Sequence, residues 1–181
     1  MNKLQIRNKI IKIRKKKFDK DFKIDLVKFI SFLKINKLNF KSIGGYYPSN
    51  YEIDDLNILD LLEKKNFKIS LPIVKKNNQM NFYSWSKKVP LKVNKFGIPE
   101  PVSSKILYPD ILLVPLVGYD KNLNRLGYGG GFYDRYIEKI DKIKNVTKIG
   151  LAFSYQKIKS VPINQYDKKL DYIITEKEIL K

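Results

Sequence analysis

Asp110-Ile111-Leu112-Leu113-Val114-Pro115-Leu116-Val117 is the most apolar run of the chain. Turn residues bound it, so it reads as a central strand buried on both faces, the kind found in parallel sheets covered by helices. On its C-terminal side Asp120 to Asn124 reads as a turn. A glycine-rich loop follows, then a helix from about Phe132 to Ile143. Val146 to Phe153 and Asp171 to Thr175 read as the last two strands. On its N-terminal side Lys95 to Pro101 reads as irregular. Met80–Trp85 and Lys68–Val74 read as strands joined by a hairpin turn at Lys76-Asn77-Asn78-Gln79. Asp54 to Lys65 is an amphipathic helix, with Leu56, Leu59, Leu61 and Leu62 apolar. Ser42 to Tyr47 is a short strand weakened by Gly44-Gly45, with a turn at Pro48-Ser49-Asn50. Residues 3–17 and Asp19 to Leu38 read as helices. The second carries Phe22, Leu26, Phe29, Ile30 and Leu33 at three-to-four spacing. Strands alternate with helices, so the class is α/β with a mainly parallel, two-sided sheet. The 181 residues fit one domain over 1–181, with residues 1–38 as a helical N-terminal segment packed on it.

The composition excludes much chemistry. There is no His, hence no imidazole base and no Ser-His-Asp triad, and no Cys, hence no disulfide or thiolate nucleophile. A metal would have to be held by carboxylates, carbonyls, phosphates and water, which are the ligands of Mg²⁺ or Ca²⁺. The lack of Cys fits a cytoplasmic protein. The basic N-terminus has no apolar core of a signal peptide. Ile111 to Tyr119 is too short to cross a bilayer as a helix.

The net charge is +19, and residues 1–41 carry 14 basic and 3 acidic groups. Such a patch could bind nucleic acid, or it could be a solvated helix face. Only Arg7, Arg14, Arg125 and Arg135 are arginines. Nucleic-acid readers favour Arg for its bidentate fork, so the shortage favours the plainer reading and makes these four the cations worth following.

The strongest local signal is Arg125-Leu126-Gly127-Tyr128-Gly129-Gly130-Gly131-Phe132-Tyr133-Asp134-Arg135. Four glycines in five positions let backbone N–H groups converge, and the following helix adds its positive end, so the segment suits phosphate. A flexible surface loop is the competing reading, and the flanking Arg125 and Arg135 favour the anion site. It is neither a Walker A loop nor a dinucleotide fingerprint, for no Gly-Lys-Ser/Thr follows and Phe132 stands at the third glycine position. Asp134 is either a Mg²⁺ ligand or a carboxylate that complements the helix dipole. Asp167 is a loop carboxylate of the type that forms turns. Glu52 and Glu100 could pair with a heterocycle presenting adjacent N–H donors, or be surface charges. Phe82 and Trp85 read as core or rim.

Taken together these residues resemble the 5-formyltetrahydrofolate cyclo-ligase family through nearly the whole chain. The similar pieces are Lys3-x-x-Ile6-Arg7, Glu52 with Tyr47 before it, Phe96-Gly97-Ile98-Pro99-Glu100-Pro101, Asp110 to Pro115 with the glycine-rich segment, and Val161-Pro162 with Asp167 and Asp171. Some members of the family carry a basic residue at the position of Tyr128, of Gly130, or both, and this chain has neither. The resemblance offers Lys3, Arg7, Arg125 or Arg135 to supply that charge instead.

The resemblance implies a three-layer α/β domain and an enzyme that uses ATP and Mg²⁺ to convert 5-formyltetrahydrofolate to 5,10-methenyltetrahydrofolate, ADP and phosphate. It places ATP on Lys3, Leu4, Gln5, Ile6, Arg7 and the segment Arg125, Leu126, Gly127, Tyr128, Gly129, Gly130, Gly131, Phe132 and Tyr133, with Arg125 and Lys3 catalytic. It places the folate on Tyr47, Glu52, Glu100 and the loop from Tyr128 through Phe132, and Mg²⁺ on Asp134 and Asp167. The implied protein is a cytoplasmic monomer acting on reduced folate and ATP, with no membrane or nucleic-acid partner. The rival readings are a non-catalytic folate-binding relative and a basic nucleic-acid-binding protein.

Overall fold

A computed structural model describes residues 1–19, 23–75 and 78–181. Phe22 and the Lys76-Asn77 part of the expected hairpin turn lie outside the described residues. The order of elements is α1 (Lys3–Lys17), α2 (Leu26–Ile35), β1 (Ser42–Gly44), α3 (Leu56–Lys64), β2 (Lys68–Val74), β3 (Met80–Trp85), β4 (Leu91–Val93), β5 (Pro99–Pro101), β6 (Ile111–Pro115), β7 (Gly118–Tyr119), β8 (Arg125–Leu126), α4 (Phe132–Asp141), β9 (Thr147–Leu151), β10 (Tyr172–Ile174) and β11 (Ile179–Leu180). Seven strands form one sheet in the order β11-β10-β9-β6-β1-β2-β3. The five inner strands are parallel, and β3 and β11 pair antiparallel at the edges. The sheet is therefore the mainly parallel one expected, with β6 at its centre.

Side chains of β6 alternate between the two faces. Ile111 and Leu113 join Phe29, Phe32 and Leu33 of α2 and Ile58, Leu59 and Leu62 of α3 in one apolar core. Leu112 and Val114 join Tyr136, Ile137 and Ile140 of α4 in the other. These are three layers. Helix α1 makes a separate small contact, where Ile10 packs with Val117, Leu126 and Val161.

Helix starts follow local chemistry. Asn2 caps α1 in a capping box with Gln5. Asp25 accepts from the N–H groups of Val27 and Lys28 at 2.8 and 3.1 Å, so α2 begins at Leu26 and not at Asp19 as the apolar spacing suggests. Three short pairings depart from expectation. β4 and β5 form a hairpin where the chain reads as irregular, β7 pairs with β8 around the Asp120 turn, and β11 extends the sheet. No described helix is long and apolar enough to cross a membrane.

The topology locates the site. Counting parallel strands in chain order, the sheet runs 2-1-3-4-5, so the direction of winding reverses between β1 and β6. The crevice beyond the C-terminal ends of those two strands is where ligands bind in open α/β sheets. Segments 45–52 and 115–117 leave the sheet there.

Asp110 fixes the start of β6. Its Oδ2 accepts from Lys41 N at 2.8 Å, Ser42 N at 2.9 Å and Ser42 Oγ at 2.7 Å, and Oδ1 pairs with Lys144. Desolvation pushes this carboxyl up, but the Lys144 ammonium and those donors outweigh it and hold it at about 2. A depressed folded-state value stabilises the fold above the free-Asp range of about 3.9 and is lost as pH falls toward 2. Asp110→Asn should weaken the fold at neutral pH and flatten the stability slope over that acid window, measured by urea unfolding. Leu113→Ala, at a fully buried position, should cost about 2–5 kcal/mol. Val27→Ala, three-quarters exposed, should stay within about 0.5 kcal/mol by the same measurement.

Candidate active site

A cleft of about 840 Å³ opens at the switch point. Its walls come from α1, the segment after β1, the β2–β3 and β4–β5 hairpins, the glycine-rich loop and the loop around Asn164. The glycine loop forms one end. Gly129 and Gly131 adopt φ values of +102° and +63°, which side chains avoid, and Gly131 serves as the N-cap of α4 without a side-chain cap. Among the described residues the N–H groups of Gly129, Gly130 and Gly131 donate no intramolecular hydrogen bond. Together with the uncapped first turn of α4 they make a cradle for anionic oxygens.

Cations surround that cradle. The Arg7 Nε donates to Gly127 O at 2.7 Å, and its guanidinium carbon lies 3.3 Å from where a Cβ on Gly129 would be. Arg125, buried at the base of the loop, binds Asp134 Oδ1 through Nη2 at 2.6 Å, while its Nε has no partner among the described residues. The Lys3 Nζ lies 2.5 Å from Asp167 Oδ2. Arg135, which also lines the cleft, bonds Asn78 O and Gly130 O, bracing the loop against the β2–β3 hairpin.

Asp134 and Asp167 both line the cleft. Lys168 N donates to Asp134 Oδ1 at 3.0 Å and Asn164 N to Asp167 Oδ2 at 2.6 Å, so every hydrogen bond described for each carboxylate falls on one oxygen. Asp134 Oδ2 and Asp167 Oδ1 remain as hard donors. Among the described residues no group of three or more acidic side chains could hold a metal by itself. Two carboxylate oxygens completed by phosphate and water fit Mg²⁺, which seldom has an all-protein cage.

Glu52 lines the same cleft. It is buried, and its Oε2 accepts from Ser49 N at 2.7 Å and Ser49 Oγ at 3.3 Å. Desolvation pushes its carboxyl up, opposed by the Tyr128 hydroxyl, the Ser49 donors and the Arg14 charge. Such a carboxylate, aimed into a cleft, suits a planar heterocycle with paired N–H donors. Tyr47, Tyr128, Phe132 and Phe96 give the cleft aromatic walls, and the Phe96 and Phe132 rings meet edge to face at 6.4 Å.

The structure thus brings Lys3, Arg7, Tyr47, Glu52, Asp134, Asp167 and the segment from Arg125 through Tyr133 to one cleft. Leu4, Gln5 and Ile6 do not line it. Leu4 is exposed, Gln5 is spent on the capping box, and Ile6 packs beside Ile10. Glu100 is buried beside the cleft, accepting from Asn94 Nδ2 at 3.1 Å, while Ile98 and Pro99 provide the lining. Tyr46 and Met80 also line it, as does Phe96 of the segment that ends at Pro101. Arg14, which reaches Tyr128 from α1, follows Arg7 by seven residues and Lys3 by eleven, a spacing that puts all three on one helix face.

Known proteins share this architecture. A model of the family described as "5-formyltetrahydrofolate cyclo-ligase family" matches residues 2–176. A 5-formyltetrahydrofolate cyclo-ligase of Haemophilus influenzae is 33% identical over 140 residues, covering 74% of each chain. One of Escherichia coli is 27% identical over 145 residues, covering 76% of this chain and 79% of its own. Among solved structures, 5,10-methenyltetrahydrofolate synthetase of Aquifex aeolicus superimposes with a TM-score of 0.80 at 29% identity, covering 100% of this chain and 93% of its own. The synthetase of Mycoplasma pneumoniae does so with 0.72 at 26%, covering 97% and 99%.

Two glycine substitutions separate backbone strain from loss of the cradle. Gly129→Ala and Gly97→Ala both force a side chain onto positive φ, but a Cβ at Gly97 meets nothing within 4 Å, whereas one at Gly129 crowds Arg7. Each should lose about 1–2 kcal/mol of stability in urea. Only Gly129→Ala should abolish the thermal stabilisation given by tripolyphosphate.

Proposed function

Because the chain belongs to the 5-formyltetrahydrofolate cyclo-ligase family, we propose that it converts 5-formyltetrahydrofolate to 5,10-methenyltetrahydrofolate with cleavage of ATP to ADP and phosphate. The observation that carries the reading is one cleft that holds both a cationic N–H cradle and a buried carboxylate. That arrangement lets a triphosphate and a reduced pterin meet between them.

The chemistry needs neither His nor Cys, because the nucleophiles belong to the substrate. The formyl oxygen attacks the γ-phosphorus and ADP leaves. The folate N10 lone pair then attacks the activated formyl carbon, N10 loses its proton, the C–O bond breaks and phosphate departs. Atoms balance as folate plus ATP giving methenyl product, ADP and phosphate.

The protein's part is positioning and charge neutralisation. The N–H groups of Gly129 to Gly131, with Arg7 and Lys3, hold the phosphates. Arg125 and Lys3 face the charge that develops on the transferred group, and each is held in place by a carboxylate, Asp134 and Asp167 respectively. Those two carboxylates would share Mg²⁺ with phosphate oxygens, and the bound ion supplies further neutralisation of phosphate charge. Glu52 fixes the pterin edge so that the formyl oxygen faces the cradle. Tyr47 and Phe132 flank the pterin, and Glu100 supports the wall formed by Ile98 and Pro99. The reading goes with a monomer acting in the cytoplasm on small molecules, without a nucleic-acid partner.

Near-ultraviolet absorbance tests it, since the methenyl product is conjugated. Purified protein with 5-formyltetrahydrofolate, ATP and Mg²⁺ should show a rise that needs all three additions. Folate binding without a rise would indicate a non-catalytic relative. The absence of both the rise and folate binding would overturn the folate reading and turn attention to nucleic acid.

A further inference from the structure

Arg14 lies in the interior with 1% of its surface exposed, yet no carboxylate among the described residues is within 4 Å of its guanidinium. Its Nη1 donates to Leu116 O at 3.2 Å, and its Nη2 donates to the Tyr128 hydroxyl. The guanidinium also sits 5.5 Å from the centre of the Tyr128 ring. Glu52 shows the complementary lack: it is buried, and among the described residues no cation pairs with it directly. A lone buried charge is costly, so each of these groups requires the other. The Tyr128 hydroxyl accepts from Arg14, and Tyr128 lines the cleft together with Glu52, whose carboxyl the hydroxyl and the Arg14 charge both pull down. A phenol can accept and donate at once, so this one can bridge the two charges.

We infer that Arg14 is a positioning residue which, through the Tyr128 hydroxyl, keeps the Glu52 carboxylate ionised and aimed into the cleft. The inference rests on the folate reading of Glu52. It also gives the neutral residue of the glycine loop a use. Tyr128 carries no charge itself, but it relays one from α1, a source outside Lys3, Arg7, Arg125 and Arg135.

Other groups around Glu52 do not replace the relay. Ser49 contributes neutral donors from the same segment. Tyr46, Asp55 and Tyr133, on the flanking segment and α4, add no positive charge, and Glu52 raises the titration of each. Loss of the relay therefore moves the Glu52 carboxyl further up, and a folate that needs the carboxylate is released at a higher pH.

Tyr128→Phe removes only the hydroxyl and keeps the ring, and Arg14→Met removes the charge. Binding of 5-formyltetrahydrofolate and of ATP is measured by calorimetry over a pH series. Tyr128→Phe should weaken folate by about tenfold at neutral pH and shift the acid limb of affinity upward. It should leave ATP within about twofold, which a merely collapsed loop would not. In a Glu52→Gln background it should add nothing, since no ionised carboxylate remains to be held. Equal weakening of both ligands, or unchanged folate affinity in Tyr128→Phe while Glu52→Gln loses it, would overturn the inference alone. Unchanged folate affinity in Glu52→Gln would overturn the folate reading beneath it. If Arg14→Met does not fold, Tyr128→Phe still decides.

Discussion

Everything in the cleft depends on how α1 is seated across the end of the sheet. The apolar part of that seat is small, with Ile10 against Val117, Leu126 and Val161. The rest is polar: Arg7 on the Gly127 carbonyl, Arg14 on the Leu116 carbonyl and the Tyr128 hydroxyl, and Lys3 on Asp167. Hydrogen bonds from charged donors contribute about 1.5–3 kcal/mol each where they are shielded from water. The helix is thus held in place by the same cations that give the cleft its positive potential. A helix bound only through apolar contacts would leave that potential in solvent, where salt screens it.

The sheet explains why the seat is where it is. Winding reverses between β1 and β6, so the chain leaves those strands in diverging directions and opens a crevice. Glu52 arrives from the β1 side and the glycine loop from the β6 side, after the short β7–β8 pairing. The two halves of the chemistry come from separate parts of the chain and meet only through this topology. Helix α1 closes the third side, and the β4–β5 hairpin brings Phe96 and Ile98 over the fourth.

Much of this was legible in the sequence wherever local chemistry decides structure. The bounds of α1, β2 and β3 follow directly from apolar spacing and turn residues. The glycine loop and the start of α4 follow from glycine and its backbone freedom. The β4–β5 hairpin was hidden because its strands carry Pro99 and Pro101 and its tip is organised by the Asn94 side chain, which accepts from Phe96 N and Ile98 N. β7, β8 and β11 have two residues each, too few for any pattern. In the site, Lys3, Arg7, Glu52, Arg125, Asp134 and Asp167 could be nominated one by one. Arg14 could be marked as a scarce arginine, but its contact with Tyr128 joins residues 114 apart in the chain. Only the docking of α1 makes it visible.

The most direct measurement is a crystal structure of the chain with a non-hydrolysable ATP analogue, Mg²⁺ and 5-formyltetrahydrofolate. The expected result has the triphosphate between α1 and the glycine loop, touching Lys3, Arg7 and the N–H groups of Gly129 to Gly131, with the pterin edge on Glu52. Phosphates bound away from α1, or a pterin that does not touch Glu52, would contradict it.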